Sequence, residues 1–387
     1  MRRDDAANGV ATRQDDAAVI HLGLGLLGVG GQLGAFDQCA SAGGAPVGLG
    51  VRCKHGVAVA ADAFHRASVA DVTCGCGTSG VRGNAGEGRR YTGCMHPPIR
   101  LVAIDMDGTL LPSFSQTISP RNGKALKDLQ DAGVTVAIAT GRRTAYTAPL
   151  LADLDLRADM PLITSNGAVT RTLGGDPIDR SAMRASVARG VCGLLRPYGV
   201  VVFTRDRVGR GEMVLESLEQ AHERIALWVE ANRDAFEVVR PLEKALADGD
   251  DPIQGMVAGG VDEMRKAEAV LKASEWAGGC ACVRTEYPAR DLSILDLVPP
   301  GVSKGWALER LAKRLGVDRK ETMAIGDNWN DVDMLEWAAQ GILMGNAARE
   351  LRGVAKLRGW KQAPRNDEDG VAVVLEKVLA QQVSARA

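Results

Sequence analysis

From Ile99 onward, short runs that are apolar at every position alternate with longer stretches whose apolar residues fall at helical spacing. The apolar runs are 100–104, 134–139, 162–164, 322–325 and 341–344. A strand buried on both faces of a parallel sheet reads this way, because both of its alternating side-chain sets meet packed neighbours. Helices fall between the runs. Ser119-Pro120 is an N-cap and first-turn pair for a helix that should stop near Gly133. Ser303 caps another, with Ala307, Leu308, Leu311, Ala312 and Leu315 on one face and Gly316 as its stop. Alternating β and α elements with short links predict an α/β fold, a doubly wound parallel-sheet (Rossmann-like) core.

That alternation is interrupted between Asn166 and Lys304, by roughly 130 residues. The interruption carries its own predicted helices, Ser217 to Asn232 behind a Ser217-x-x-Gln220 capping box, and Asp262 to Trp276. It also carries strand-like pieces at 199–204, 252–258 and 292–298. A stretch of this size reads as an inserted α/β domain rather than a loop. Its edges fall near Arg171–Ser181 and Ala289–Asp291. The expected organisation is a first core segment over 97–172, the insert over 173–290, and a second core segment over 291–387.

Composition separates the first 96 residues from the rest. Residues 1–94 hold 19 of the 46 glycines and five of the eight cysteines, and no tryptophan. Glycine-rich chain is entropically costly to order. This segment therefore reads as a disordered extension, or as chain upstream of a true start at Met95. Gly23-Leu-Gly-Leu-Leu-Gly28 matches G-x-G-x-x-G, but more glycines follow where a helix is needed, and Asp37 comes too early. The apolar stretch 17–36 holds too many glycines for a membrane helix. Asp4, Asp5, Asp15 and Asp16 crowd what would be a basic leader. Cys39, Cys53, Cys74 and Cys76 lack zinc-site spacing. The whole chain has 387 residues and a formal net charge of −1. That balance argues against nucleic-acid and anionic-membrane partners. The absence of a leader pattern makes the expected location cytoplasmic.

Each predicted core strand ends in small polar or acidic residues: Asp105, Thr140-Gly141, Ser165-Asn166-Gly167, Gly326-Asp327 and Gly345-Asn346. Ligands bind outside the carboxyl ends of strands in open parallel sheets, so five strand ends nominate one shared site. Asp105 and Asp107 stand two apart, and Gly108 permits a sharp turn. One carboxylate can attack phosphorus, and a second can protonate the leaving oxygen and later deprotonate water. Asp327 and Asp331 bring the acids to four. Such a cluster calls for a cation, and hard oxygen donors suit Mg²⁺. Thr140 and nearby amides could hold phosphate oxygens, and Lys304 at a helix start could neutralise developing charge. Bland readings stand beside these. Thr140 could cap the next turn, Arg142 could pair with an acid, Asn166 could be a turn residue, and Asp296 could be an ordinary strand acid.

Asp105-Met-Asp-Gly-Thr-Leu110, Thr140-Gly-Arg142, Lys304 and Gly326-Asp-Asn-Trp-Asn-Asp-Val-Asp-Met-Leu335 resemble, in order, the motifs of the haloacid dehalogenase superfamily. Ser165-Asn-Gly-Ala168, Met344-Gly-Asn-Ala347 and Asp369-Gly-Val371 resemble further signatures of its Cof-type hydrolases, which carry a large α/β cap where this chain has its insert. The resemblance spans about residues 97–380. It implies a Mg²⁺-dependent phosphomonoester hydrolase working through an aspartyl-phosphate. Asp105 would be nucleophile and metal ligand, and Asp107 the general acid/base with its backbone carbonyl on the metal. Thr140 and Lys304 would bind phosphate, Asp327 would ligate the metal, and Asp331 would support that site. Asn330 would contact the phosphoryl group or Lys304. Gly141, Arg142 and Asn166 are candidates for substrate contact. The implied partner is a small phosphorylated metabolite, a sugar phosphate or a cofactor phosphate, with the protein a monomer or weak homo-oligomer. A phosphomutase or other phosphotransferase, and a non-catalytic regulatory protein on the same fold, stay open.

Overall fold

The computed structural model describes residues 97–386 apart from Phe114 and Asp248. The glycine-rich segment 1–96, with its G-x-G-x-x-G match, apolar stretch and cysteine cluster, lies outside the described residues.

The chain opens with β1 (Leu101–Ile104), α1 (Pro120–Asp131), β2 (Thr135–Ala139), the single turn α2 (Thr144–Thr147), β3 (Pro161–Thr164), β4 (Val169–Thr172) and β5 (Pro177–Arg180). The insert follows as α3 (Ala185–Leu195), β6 (Val202–Thr204), β7 (Met213–Leu215), α4 (Ala226–Ala231), β8 (Phe236–Val238), β9 (Gln254–Gly259), α5 (Val261–Lys272), β10 (Ala281–Tyr287) and β11 (Leu292–Val298). It closes with α6 (Lys304–Leu315), β12 (Thr322–Gly326), α7 (Val332–Trp337), β13 (Gln340–Leu343), α8 (Arg349–Arg358), β14 (Lys361–Gln362) and α9 (Gly370–Arg386).

The core sheet runs β14-β13-β12-β1-β2-β3-β4-β5. It is parallel from β14 to β3, and β4 and β5 form an antiparallel edge. The all-apolar runs split by parity, since successive strand side chains point to opposite faces. Val102 and Ile104 pack with α1 and α9, around Leu126, Leu129 and Leu375. Leu101 and Ala103 pack with α6, α7 and α8, around Leu308, Leu311, Met334 and Leu351. From β1 the chain winds outward through β2 and β3, and after the insert through β12, β13 and β14 on the other side. The reversal lies between β1 and β12, where an open α/β sheet leaves a crevice at its carboxyl edge. Asp105 and Asp327 follow those two strands, with Ile104 opposite Ile325 in the register. Ser119 and Ser303 cap α1 and α6 as expected, each accepting a backbone N–H at 3.1 Å, and Gly316 ends α6 at φ 63°.

The second sheet runs β10-β11-β9-β6-β7-β8. On one face α3 and α5 cover Phe203, Val257 and Leu295. The opposite face carries Val202, Met213 and Ile294 and is partly covered by α4. The fold is thus a doubly wound α/β core with an inserted α/β cap.

Two expectations are corrected. The edge placed between residues 290 and 291 splits a hairpin. β11 pairs along its whole length with β10 and over Ser293–Leu297 with β9, so the cap sheet runs to Val298. All seven β11 residues are buried, and a run buried on both faces looks alike in either sheet. At the other end, β5 still pairs with β4 on the core sheet, beyond the edge set at residue 173. The helix expected from Ser217 to Asn232 is confined to α4 and a short turn at Glu223–Ile225. Ser217 does accept the Gln220 N–H at 3.3 Å, but its hydroxyl also donates to Glu219. The capping pattern there closes a turn without a helix behind it.

Candidate active site

Asp105 extends β1, its N–H donating to Ile325 of β12. The chain then turns through Gly108 at φ 78°, where a Cβ would collide with the Asp327 carboxylate. Only glycine combines that backbone conformation with that close approach. The turn brings Thr109 Oγ1 to Asp327 Oδ1 at 3.0 Å. Asn346, after β13, donates to the Gly108 carbonyl at 2.8 Å.

The acids converge. One oxygen from each of Asp105, Asp327 and Asp331 lies within 4.8 Å of the others. Lys304, at the first position of α6, is buried and donates to Asp105 Oδ1 at 2.6 Å and Asp331 Oδ1 at 2.7 Å. Asp331 Oδ2 accepts the N–H groups of Asp327 and Asn328 at 2.9 and 3.0 Å. Burial, then repulsion from Asp331, pushes the Asp105 carboxyl up to about 7, against the pull of Lys304. Burial, then Asp105 and Asp331, carry Asp327 well above the carboxylate range. Burial alone would lower the Lys304 pKa, but its two carboxylate partners reverse that and raise it. One ammonium thus faces three carboxylates, all hard oxygen donors. The set fits a divalent cation, which would offset the excess negative charge.

Asp107 stands apart from that cluster. Arg142 grips its carboxylate with two nitrogens, Nε at 2.8 Å and Nη2, and also reaches Gln116 Oε1 at 3.2 Å. Its guanidinium lies 5.1 Å from the Tyr146 ring centroid. Thr140 Oγ1 accepts the Arg142 N–H at 3.1 Å, which fixes the start of the loop. Asn166, at φ 53° and fully buried, donates to Asp296 Oδ2 of the cap at 2.9 Å. Asn330 donates to Asn166 Oδ1 at 3.4 Å. Gln254 holds the other Asp296 oxygen at 2.8 Å. Burial raises the Asp296 carboxyl to about 6 even with those two donors.

The cleft over these groups has an empty volume of about 830 Å³. Asp105, Asp107, Gly141, Arg142 and Asn330 line its core side.

All ten residues nominated from the sequence thus lie in one region, but four make contacts the sequence did not foresee. Arg142 is committed to Asp107 and Gln116 rather than held out for a ligand. Asn166 is a buried link between core and cap and does not line the cleft. Asn330 bonds Asn166 rather than Lys304, and lines the cleft where a phosphoryl contact would need it. The side chain of Asp107, named among the metal residues, points to Arg142 and not into the acid cluster.

The family of haloacid dehalogenase-like hydrolases matches residues 102–375. The chain belongs to that family. As a haloacid dehalogenase-like hydrolase it is 29% identical over 301 residues to the 5-amino-6-(5-phospho-D-ribitylamino)uracil phosphatase YwtE of Bacillus subtilis, covering 73% of this chain and 99% of that protein. It is 30% identical over 289 residues to the chloroplastic endoribonuclease YBEY of Arabidopsis thaliana. There the chain spans less than half of the relative's length, 46%, and 71% of its own. Its fold matches a haloacid dehalogenase-like hydrolase from Bacteroides thetaiotaomicron at a TM-score of 0.59 and 25% identity, over 72% of this chain and 99% of the other.

Sequence reasoning did not assign Thr109, although it lies inside the first acidic motif. It also missed Tyr287, whose hydroxyl pKa is raised well above its usual value by burial and then by Asp107, Asp327 and Asp105. No local pattern in the cap sequence announces a tyrosine placed over acids that lie far away in the chain.

Proposed function

We propose that this hydrolase is a Mg²⁺-dependent phosphomonoesterase acting on small phosphorylated metabolites through an aspartyl-phosphate. The observation that carries this reading is the convergence of Asp105, Asp327 and Asp331 on one point, with Lys304 buried between Asp105 and Asp331. Asp105, Asp327 and the Asp107 carbonyl would hold the metal, with Asp331 fixing the loop after β12. Bound Mg²⁺ supplies charge neutralisation for the phosphoryl oxygens and the attacking carboxylate.

Asp105 attacks phosphorus, and the bond to the leaving oxygen breaks. Asp107 gives that oxygen its proton and the alcohol departs. Asp107, now a carboxylate, takes a proton from water. The water oxygen attacks phosphorus, the Asp105–phosphorus bond breaks, and phosphate leaves with both acids restored. Lys304 keeps Asp105 oriented throughout and offsets its charge. The two-nitrogen grip of Arg142 fixes where the Asp107 carboxyl stands beside the cleft. Gly141 lines the cleft beside Asp105 and Asp107, and its amide and the Thr140 hydroxyl would hold phosphoryl oxygens.

The test is phosphate release by the full chain from acetyl phosphate and a panel of phosphorylated metabolites, with Mg²⁺ and with chelator. Asp105→Asn should cut release on the order of 10³-fold or more, since it removes the nucleophile. Release that survives both chelator and Asp105→Asn overturns the mechanism.

A further inference from the structure

We propose that Tyr287, a cap residue, is a further catalytic residue of this site: its hydroxyl donates a hydrogen bond to the oxygen that bridges phosphorus and the leaving group, beside Asp107. The inference rests on the phosphatase reading above. Tyr287 is the last residue of β10 and stands opposite Leu292 of β11. Thr285, two positions earlier, shares its face of the sheet, and both line the cleft. Glu286, between them, faces the other way and is held by two Arg265 nitrogens at 3.0 Å. That anchorage to α5 fixes the backbone from which Tyr287 projects. β10 also packs against the turn at Trp329–Asp331, which brings the cap strand down onto the core loop of Asn330 and Asp331.

A second hollow, with an empty volume of about 1190 Å³, adjoins the cleft. Asp107, Asn328 and Tyr287 line both, so the tyrosine stands at Asp107 where the two spaces meet. Among the described residues no other cap residue borders both. Its hydroxyl is uncommitted: no described residue forms a hydrogen bond with it, and it is not sealed from solvent. A tyrosine O–H in a packed wall ordinarily finds a partner, so one left open beside an acid is available to a ligand. Burial, then the charges of Asp107, Asp327 and Asp105, resist its ionisation and keep it a donor. In-line attack by Asp105 puts the leaving oxygen on the opposite side of phosphorus, toward the cap. That oxygen gains negative charge as its bond to phosphorus breaks. Asp107 supplies the proton the oxygen finally carries away. Tyr287 keeps its own proton and shares it in a hydrogen bond that strengthens as the charge grows.

The test measures kcat/KM of the full chain with Mg²⁺, unsubstituted and as Tyr287→Phe, for acetyl phosphate, para-nitrophenyl phosphate and phenyl phosphate. Their leaving oxygens are successively more basic, and kcat/KM reports the steps through departure of the leaving group. The variant keeps the ring as a wall and removes only the hydroxyl. Its loss should grow along the series, to about tenfold for phenyl phosphate, the size of one hydrogen bond made in the transition state, against about threefold or less for acetyl phosphate. A loss that is equal for all three esters, as a plain wall residue would give, or that shrinks along the series, overturns the inference, and so does no loss at all. An unsubstituted chain that turns over acetyl phosphate but neither aryl ester overturns it too, since its site would give a basic leaving oxygen no help. Both results leave the phosphatase reading intact. Failure to hydrolyse all three would remove that reading and the inference with it.

Discussion

The two walls of the cleft are built on different principles. The core wall is charged and sits at strand ends, where backbone groups are free of the ladder and loops can turn carboxylates toward one point. Its residues come in short contiguous pieces, 105–109, 140–142 and 327–331. The cap wall lies along one face of the cap sheet, on strand positions two residues apart: Val202 and Thr204, Gln254 and Met256, Thr285 and Tyr287, Ile294 and Asp296. Strand ends concentrate charge for reaction, and a sheet face spreads contact area for recognition. Changes in the core wall should therefore act on the reaction and on electrostatic stability, and changes in the cap wall, Tyr287 apart, on substrate choice.

The sharpest way to break this contrast is Lys304→Met. It leaves Asp105 and Asp331 buried without their shared ammonium, and breaking a buried pair costs about 3–5 kcal/mol. Denaturant unfolding in chelator should show that loss, and Mg²⁺ should restore some of it. A loss under about 1 kcal/mol, of the size seen for exposed pairs, would mean the core wall is not electrostatically tight.

Asp296 is a test of intermediate size, since it is the one acid on the cap wall. Its carboxyl is raised from 3.8 to about 6, so the folded state holds its proton more tightly than the unfolded state does. The resulting stabilisation is present at acid pH and fades as pH climbs through that window, on the order of 1–3 kcal/mol. Asp296→Asn should flatten this stretch of the stability–pH curve. A curve with the same slope in both proteins would place the titration elsewhere. The smallest effect is Thr109→Val, which removes one hydrogen bond to Asp327 and should cost about 0.5–1.5 kcal/mol by thermal unfolding. A neutral result would mean the Thr109 hydroxyl is not what holds that carboxylate.

The core was legible because burial on both faces forces continuous apolar runs, and because the chemistry of each strand end is written in neighbouring residues. The Ser119 and Ser303 caps were legible for the same local reason. Pairings were not. Arg142 was a candidate for substrate contact until its fork met Asp107, 35 residues away in the chain. Asn166 looked like a turn residue or a ligand contact, and is both left-handed and the buried bridge to Asp296. The cap boundary failed at β11 because a strand buried on both faces carries no mark of which sheet it joins.

By itself, then, the amino-acid order determined the α/β alternation, the place of the insert and the four acids with their lysine, all consequences of local periodicity and contiguous spacing. Tertiary structure alone decided which carboxylates face one another, that Arg142 is spent on Asp107, and that Trp228 and Tyr287 wall the same cleft. Those outcomes depend on long-range register and packing, where residues hundreds of positions apart set one another's burial and charge.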